Sequence, residues 1–205
     1  MQDDRTMLKT GRIEALSDGI FAIAMTILIL SFETMLQQPA RLDEKDVMNM
    51  LFELWPDFFH YVISFVILGV FWFQHHHQFH YIKSVDVMLL FINIAGLMFI
   101  GLIPFTTAMV SDYSHTRAAA IVFEMNLFIA GLIFFLHWIY ASHRHCLVDG
   151  RLEPGVIRFY RMRNLVIPGV SVCAMLLSLY RPRLGTMLYF LVPFILLLWK
   201  KEQAG

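Results

Sequence analysis

The feature that most limits what this chain can fold into is the length of its apolar blocks. A helix needs roughly 20 mostly apolar residues to cross about 30 Å of hydrocarbon. Blocks of that order recur at 14–35, 54–74, 85–110, 118–141, 163–180 and 184–199. They are continuous and do not alternate with a period of two, so they predict helices and not the strands of a barrel. The expected fold class is an all-α membrane protein with six transmembrane helices. The fifth block starts weakly, at Arg163, Asn164 and Pro168, and the sixth is short and ends in Trp199-Lys200-Lys201, an aromatic and basic interfacial anchor. With 58% hydrophobic residues in 205, a soluble domain of this size has too little interior to hide its apolar surface.

Charge sets the orientation. Sixteen Lys and Arg balance sixteen Asp and Glu, so there is no global basic field of the kind that binds nucleic acid. In a six-span layout, eleven of the sixteen basic residues fall on one side, among them Arg12, Lys83, Arg144, Arg151, Arg158 and Arg161. That bias predicts both termini in the cytoplasm. The first loop of the other side carries Asp43, Glu44, Asp46 and Glu53 and reads as an ordinary solvated loop.

Of the two cysteines, Cys146 lies in a basic loop and Cys173 in an apolar block, so neither a structural disulfide nor a metal framework is expected. The amino terminus does not read as a signal peptide. No linker, clear repeat or low-complexity stretch beyond His75-His76-His77 divides the chain, which predicts a single six-helix domain over 1–205. No phosphate-binding loop, nucleophile elbow or dinucleotide fingerprint occurs, so no enzyme is expected.

The first helix has two faces. On a helical wheel Gly19, Ile27, Leu30 and Thr34 fall within about 40° of Ile23, with Thr26 on the edge of that stripe, whereas Ser17 and Asp18 point about 120° or more away. An unpaired carboxylate in a membrane protein is costly, so Asp18 should find partners. Candidates at the same depth are Trp72 and the three histidines ending the second helix, and Asn93 in the third. Hydrogen bonds among them would pin three helices together. Three consecutive helical histidines point about 100° apart and cannot converge on one metal ion. Glu124 and Asn126 in the fourth helix read first as hydrogen bonds to a neighbouring helix.

The run Arg12-x-x-x-Leu16-Ser17-Asp18, followed by Gly-Ile-Phe-Ala-Ile-Ala, resembles the Arg-x-x-x-Phe-Ser-Asp signature of the transmembrane protein 175 family of endosomal and lysosomal potassium channels. Trp72-Phe73-Gln74-His75-His76-His77-Gln78-Phe79 is similar to that family's Trp-x-x-His-His-Arg-x-Phe stretch, and Asn93 and Leu102-Ile103-Pro104-Phe105-Thr106-Thr107 follow at the expected distances. Leu16 and His77 depart from the signature.

The resemblance implies a bacterial member working as a homotetramer in the plasma membrane. Its central pore would be lined by the first helix and would lack the Thr-Val-Gly-Tyr-Gly filter loop. The pore constriction would be Ile23, Ile27 and Leu30, with Thr26 and Thr34 as polar lining. Arg12, Ser17, Asp18, Trp72, His76, His77 and Asn93 would form the supporting network. Potassium would be the permeant ion, with membrane lipid around the assembly and no cofactor or metal. The competing reading is a coupled secondary transporter using Asp18 and Glu124.

Overall fold

The structure, a computed structural model, describes residues 10–30, 43–143 and 147–199. Regular structure among them is helical apart from isolated bridge residues in the α3–α4 connection, where Ile82 pairs antiparallel with Val148. Helix α1 spans Thr10–Ile27 and tightens into a 3-10 turn over 28–30. Then follow α2 (Glu44–Glu53), α3 (Trp55–Tyr81), α4 (Val87–Asp112) and α5 (Arg117–Ser142). The last part of the chain forms α6 (Pro154–Asn164), α7 (Val166–Ser178), α8 (Pro182–Met187) and α9 (Leu191–Leu198).

Among the described residues four segments, Thr10–Leu30, α3, α4 and α5, are long and apolar enough to cross a membrane. The fifth and sixth apolar blocks are each divided, and proline explains both divisions. Pro168 has no N–H for the Asn164 carbonyl and its ring crowds that oxygen. The helix accordingly breaks at Leu165, which keeps near-helical dihedrals (φ −82°, ψ −9°). Pro193 does the same to Tyr189, and residues Leu188–Phe190 tighten into 3-10 helix just before it. The fifth helical stretch also begins at Pro154, well before the expected 163, because the basic α6 leads straight into α7.

The acidic loop expected after the first span is a further difference. Within it Glu44–Glu53 forms a helix with no buried residue, started by Asp46 accepting from the Asp43 backbone N–H at 3.4 Å.

Helix α5 is the packing centre, touching both α4 and α7 at glycines. A Cβ at Gly96 would lie 3.2 Å from the Phe134 ring, and one at Gly131 would lie 2.7 Å from Pro168 Cδ. Such small-residue approaches suit a bilayer, where lipid tails are as apolar as leucine and helix association depends on close van der Waals contact. Phe21, Ile67, Phe71, Ile100, Phe123, Leu127 and Val192 form one continuous core with these contacts.

A second core lies at one end of the bundle, where Ile13, Phe79, Ile82, Leu89, Trp138, Val156 and Tyr160 meet. There Lys83 N–H donates to the Leu147 carbonyl at 2.8 Å and Asp149 N–H to that of Tyr81 at 3.2 Å. The start of α1, the α3–α4 connection and the α5–α6 connection therefore share an end. We call it the basic end, since Arg12, Lys83, Arg151, Arg158 and Arg161 lie along these segments.

Candidate functional site

The site is built on α1. Ser17, Phe21, Ala24 and Leu28 follow one another at helical spacing and are buried against α3, α4 and α5. The Phe21 ring meets Phe134 edge-on at 6.4 Å and His75 at 5.9 Å. The opposite face is open. Ile23, Ile27 and Leu30 are 58%, 42% and 61% exposed, and Thr26 is exposed beside them. The Thr26 hydroxyl donates to the Ile23 carbonyl at 2.9 Å, which leaves its oxygen lone pairs on the exposed side. Thr34 lies outside the described residues.

The polar end of α1 is tied down by a directed chain of hydrogen bonds. His75 Nε2–H donates to Asn93 Oδ1 at 2.9 Å, Asn93 Nδ2 donates to Ser17 Oγ at 3.3 Å, and Ser17 Oγ donates to the Ile13 carbonyl at 2.9 Å. All three side chains are buried. In a medium without water each member must satisfy the next, so the chain fixes the rotation of α1 against α3 and α4. Asp18 is exposed at the rim and accepts from Trp72 Nε1 at 2.9 Å.

The network differs from the expected set in its histidine. His75 is the member that reaches Asn93; the His76 ring stacks on Trp72, and His77 Nδ1 donates to the Phe73 carbonyl at 2.9 Å. Arg12 lies exposed on the first turns of α1, away from the buried chain. The reason is helical phase. Ile67, Leu68 and Phe71 mark the buried face of α3, and that spacing continues through His75, Gln78 and Phe79, not through His76 or His77.

Two further members were not anticipated. His137 Nδ1 donates to Gln78 Oε1 at 2.6 Å, and Gln78 Nε2 donates to the Phe134 carbonyl at 3.2 Å, with the His137 and His75 rings 6.4 Å apart. The spacing of Gln78 from Phe71 and His75 was the available signal for the first; nothing local marks His137.

The intramembrane carboxyl of α5 sits elsewhere. Ser178 Oγ donates to Glu124 Oε1 at 2.6 Å, while Glu124 Oε2 has no partner among the described residues. Asn126 donates to the Phe99 carbonyl at 3.3 Å. Among the described residues no group of three His, Cys, Asp or Glu side chains is arranged to hold a metal ion.

A family model described as the endosomal/lysosomal potassium channel TMEM175 matches residues 12–104, which take in α1, α3 and most of α4. A potassium channel of Streptomyces collinus is 34% identical over 161 residues, 77% of this chain and 76% of the relative. The chain belongs to the TMEM175 family. A solved TMEM175 homolog from Chamaesiphon minutus, described as a lysosomal potassium-selective channel homolog, superposes with a TM-score of 0.76 at 27% identity, over 94% of this chain and 98% of that one. The endosomal/lysosomal proton channel TMEM175 of Gallus gallus is 34% identical over 139 residues, 64% of this chain but 28% of the relative. The matched TMEM175 region contains every member of the Ser17 chain and both faces of α1, and it stops before Glu124. TMEM175 is an ion-channel family, which sets the chain among multi-pass membrane proteins and apart from the enzyme classes.

Proposed function

We propose that this chain is the subunit of a homotetrameric potassium channel of the bacterial plasma membrane, with 1–205 as one six-helix domain and both termini in the cytoplasm. The segments α6–α7 and α8–α9 complete six crossings. Four copies of α1 surround the axis, and Ile23, Ile27 and Leu30 of each form an apolar constriction, with Thr26 and Thr34 as oxygen-bearing neighbours. Conduction is passive. A ring of branched side chains controls passage by its wetting, and a cation entering it gives up part of its hydration shell.

One observation carries the reading: in a TMEM175 family member, α1 packs one face into its own bundle and leaves Ile23, Ile27 and Leu30 exposed on the other. No Thr-Val-Gly-Tyr-Gly run exists in the sequence to serve as a filter in their place. The supporting residues Ser17, Asp18, Trp72, His75 and Asn93 set the rotation of that helix; His76, His77 and Arg12 stand at its periphery. The coupled-carrier alternative is not favoured. It needs Asp18 and Glu124 at one site, whereas Asp18 bonds Trp72 and Glu124 bonds Ser178 on different helices.

The test is flux through the purified protein in liposomes under a potassium gradient. Potassium should move without a coupled ion, and Ile23→Asn should raise the conductance several-fold and weaken discrimination between cations by wetting the narrow part. Unchanged current and selectivity in Ile23→Asn would remove Ile23 from the constriction. A saturable flux that requires a proton gradient would replace the channel with a carrier.

A further inference from the structure

Residues of α7 and α9, with Met162 of α6, line a furrow of about 480 Å³. One wall carries Met162, Gly169 and Cys173, the other Leu188, Ile195 and Trp199, and every side chain lining it is apolar or weakly polar. Its floor opens at Gly169, where a Cβ would have no atom within 4 Å, and Cys173 is exposed along it. Two ends can be told apart. Met162 and Trp199 mark the end nearest α6, and an indole there suits the boundary between hydrocarbon and head groups.

Beyond Met162 the wall changes character. Leu165 keeps near-helical dihedrals, so the stripe carries back from α7 into α6. One turn before Met162 and Leu165, at i−4 of each, stand Arg158 and Arg161, both exposed. Arg163 is engaged otherwise, its guanidinium lying 5.3 Å from the Phe73 ring centroid. Helical register thus sets Arg158 and Arg161 one turn beyond two residues that line the apolar slot, and neither makes an ion pair among the described residues.

We infer that this furrow is a binding site for an anionic phospholipid, one acyl chain lying along α7 and α9 and the phosphate held by Arg158 and Arg161. The charge pattern selects this occupant. A guanidinium fork pairs with a phosphate through two parallel charge-assisted bonds and does so at the water boundary without losing its hydration. A second copy of the chain seated there would have to bury both arginines beside an apolar slot, at a cost that nothing in the slot offsets. Basic pockets between membrane helices are also the usual recognition device for acidic head groups.

The test is native mass spectrometry of the full-length protein, delipidated in detergent and titrated with dioleoyl phosphatidylglycerol or dioleoyl phosphatidylcholine. The wild type should retain phosphatidylglycerol about tenfold better, the discrimination of one good charge-assisted contact. Arg158→Gln with Arg161→Gln should abolish that preference by lowering phosphatidylglycerol retention to the phosphatidylcholine level, because both lipids carry the phosphate and only in phosphatidylcholine does a choline cation oppose the arginines. Gly169→Leu adds a side chain where a Cβ meets no atom within 4 Å, and it should reduce retention of both lipids while the melting temperature stays within a few degrees. Equal retention of the two lipids by the wild type overturns the inference, as does Gly169→Leu with undiminished phosphatidylglycerol binding. A change of subunit number in Gly169→Leu would make the furrow an interface between copies and overturn it equally.

Discussion

Two of the buried polar clusters in this bundle are built on opposite terms. At the basic end, His75, Asn93 and Ser17 each donate to the next, and the last donates to a backbone carbonyl. Around Glu124 a single hydroxyl serves one carboxyl oxygen and the other is left without a partner among the described residues. The first cluster works by saturation, which gives three helices one permitted rotation. The second works by space: it exists because residue 185 has no side chain. A Cβ at Gly185 would collide with Ser178 Oγ and stand 2.8 Å from both the Ala174 carbonyl and Glu124 Oε1. Polar groups in a membrane interior can thus be kept by completing their bonds or by clearing room for them, and the two are sensitive to different substitutions.

The sharpest break of this comparison is Gly185→Ala. Overpacking costs up to about 3 kcal/mol when backbone atoms are among those displaced, and the melting temperature in detergent should fall accordingly. Gly169→Ala, where no atom stands in the way, should stay within about 0.5 kcal/mol of wild type. Equal shifts in the two variants would mean that the cleared space at 185 is not what holds the second cluster.

Next in size is Asn93→Leu, which strands a donor on His75 and removes one from Ser17, a loss of about 1–3 kcal/mol. Adding His75→Phe should recover part of that loss, because two apolar partners leave nothing unsatisfied. Additive losses in this cycle would show the two side chains acting independently.

A smaller effect, about 0.5–1 kcal/mol, is expected from Asp18→Ala, since its bond to Trp72 lies at the exposed rim. It should lower the yield of assembled oligomer more than it alters ion selectivity. Normal assembly with altered selectivity would put the Asp18 carboxylate in the permeation path. Smallest of all is Glu124→Gln, which keeps an acceptor for Ser178 and should change stability by less than about 1 kcal/mol and leave potassium flux intact. Loss of flux would return Glu124 to the centre of a coupled-transport reading.

Much of this architecture is written in hydropathy. The starts of α3, α4 and α5 and the ends of α4 and α5 follow the apolar blocks because a membrane span is set by length, a quantity that a linear sequence displays, whereas α3 runs on past its block to Tyr81. The exposed stripe of α1 is equally legible, since Ile23, Ile27 and Leu30 share a helical phase. His75 was harder to single out from His76 and His77, because depth alone ranks the three together and only the buried phase of Ile67, Leu68 and Phe71 separates them. The surroundings of Glu124 were not legible at all. They require Ser178 and the empty position at Gly185 to arrive from another part of the chain, and no local pattern announces that meeting. The helix α2 was hidden by its acidic residues, which read as solvated loop although Val47, Met48, Leu51 and Phe52 give it one apolar side.

The division of α1 into a packed face and an open one has a consequence for how such a protein can diversify. Ile23, Ile27 and Leu30 hold almost nothing of their own subunit together, so exchanging them costs the fold little. In the proposed four-fold assembly, a single exchanged codon would alter four side chains around one axis. On the proposed reading, the permeation path and the scaffold would then be inherited on one helix but free to change separately, and new conductance properties would lie within one mutation of a stable parent.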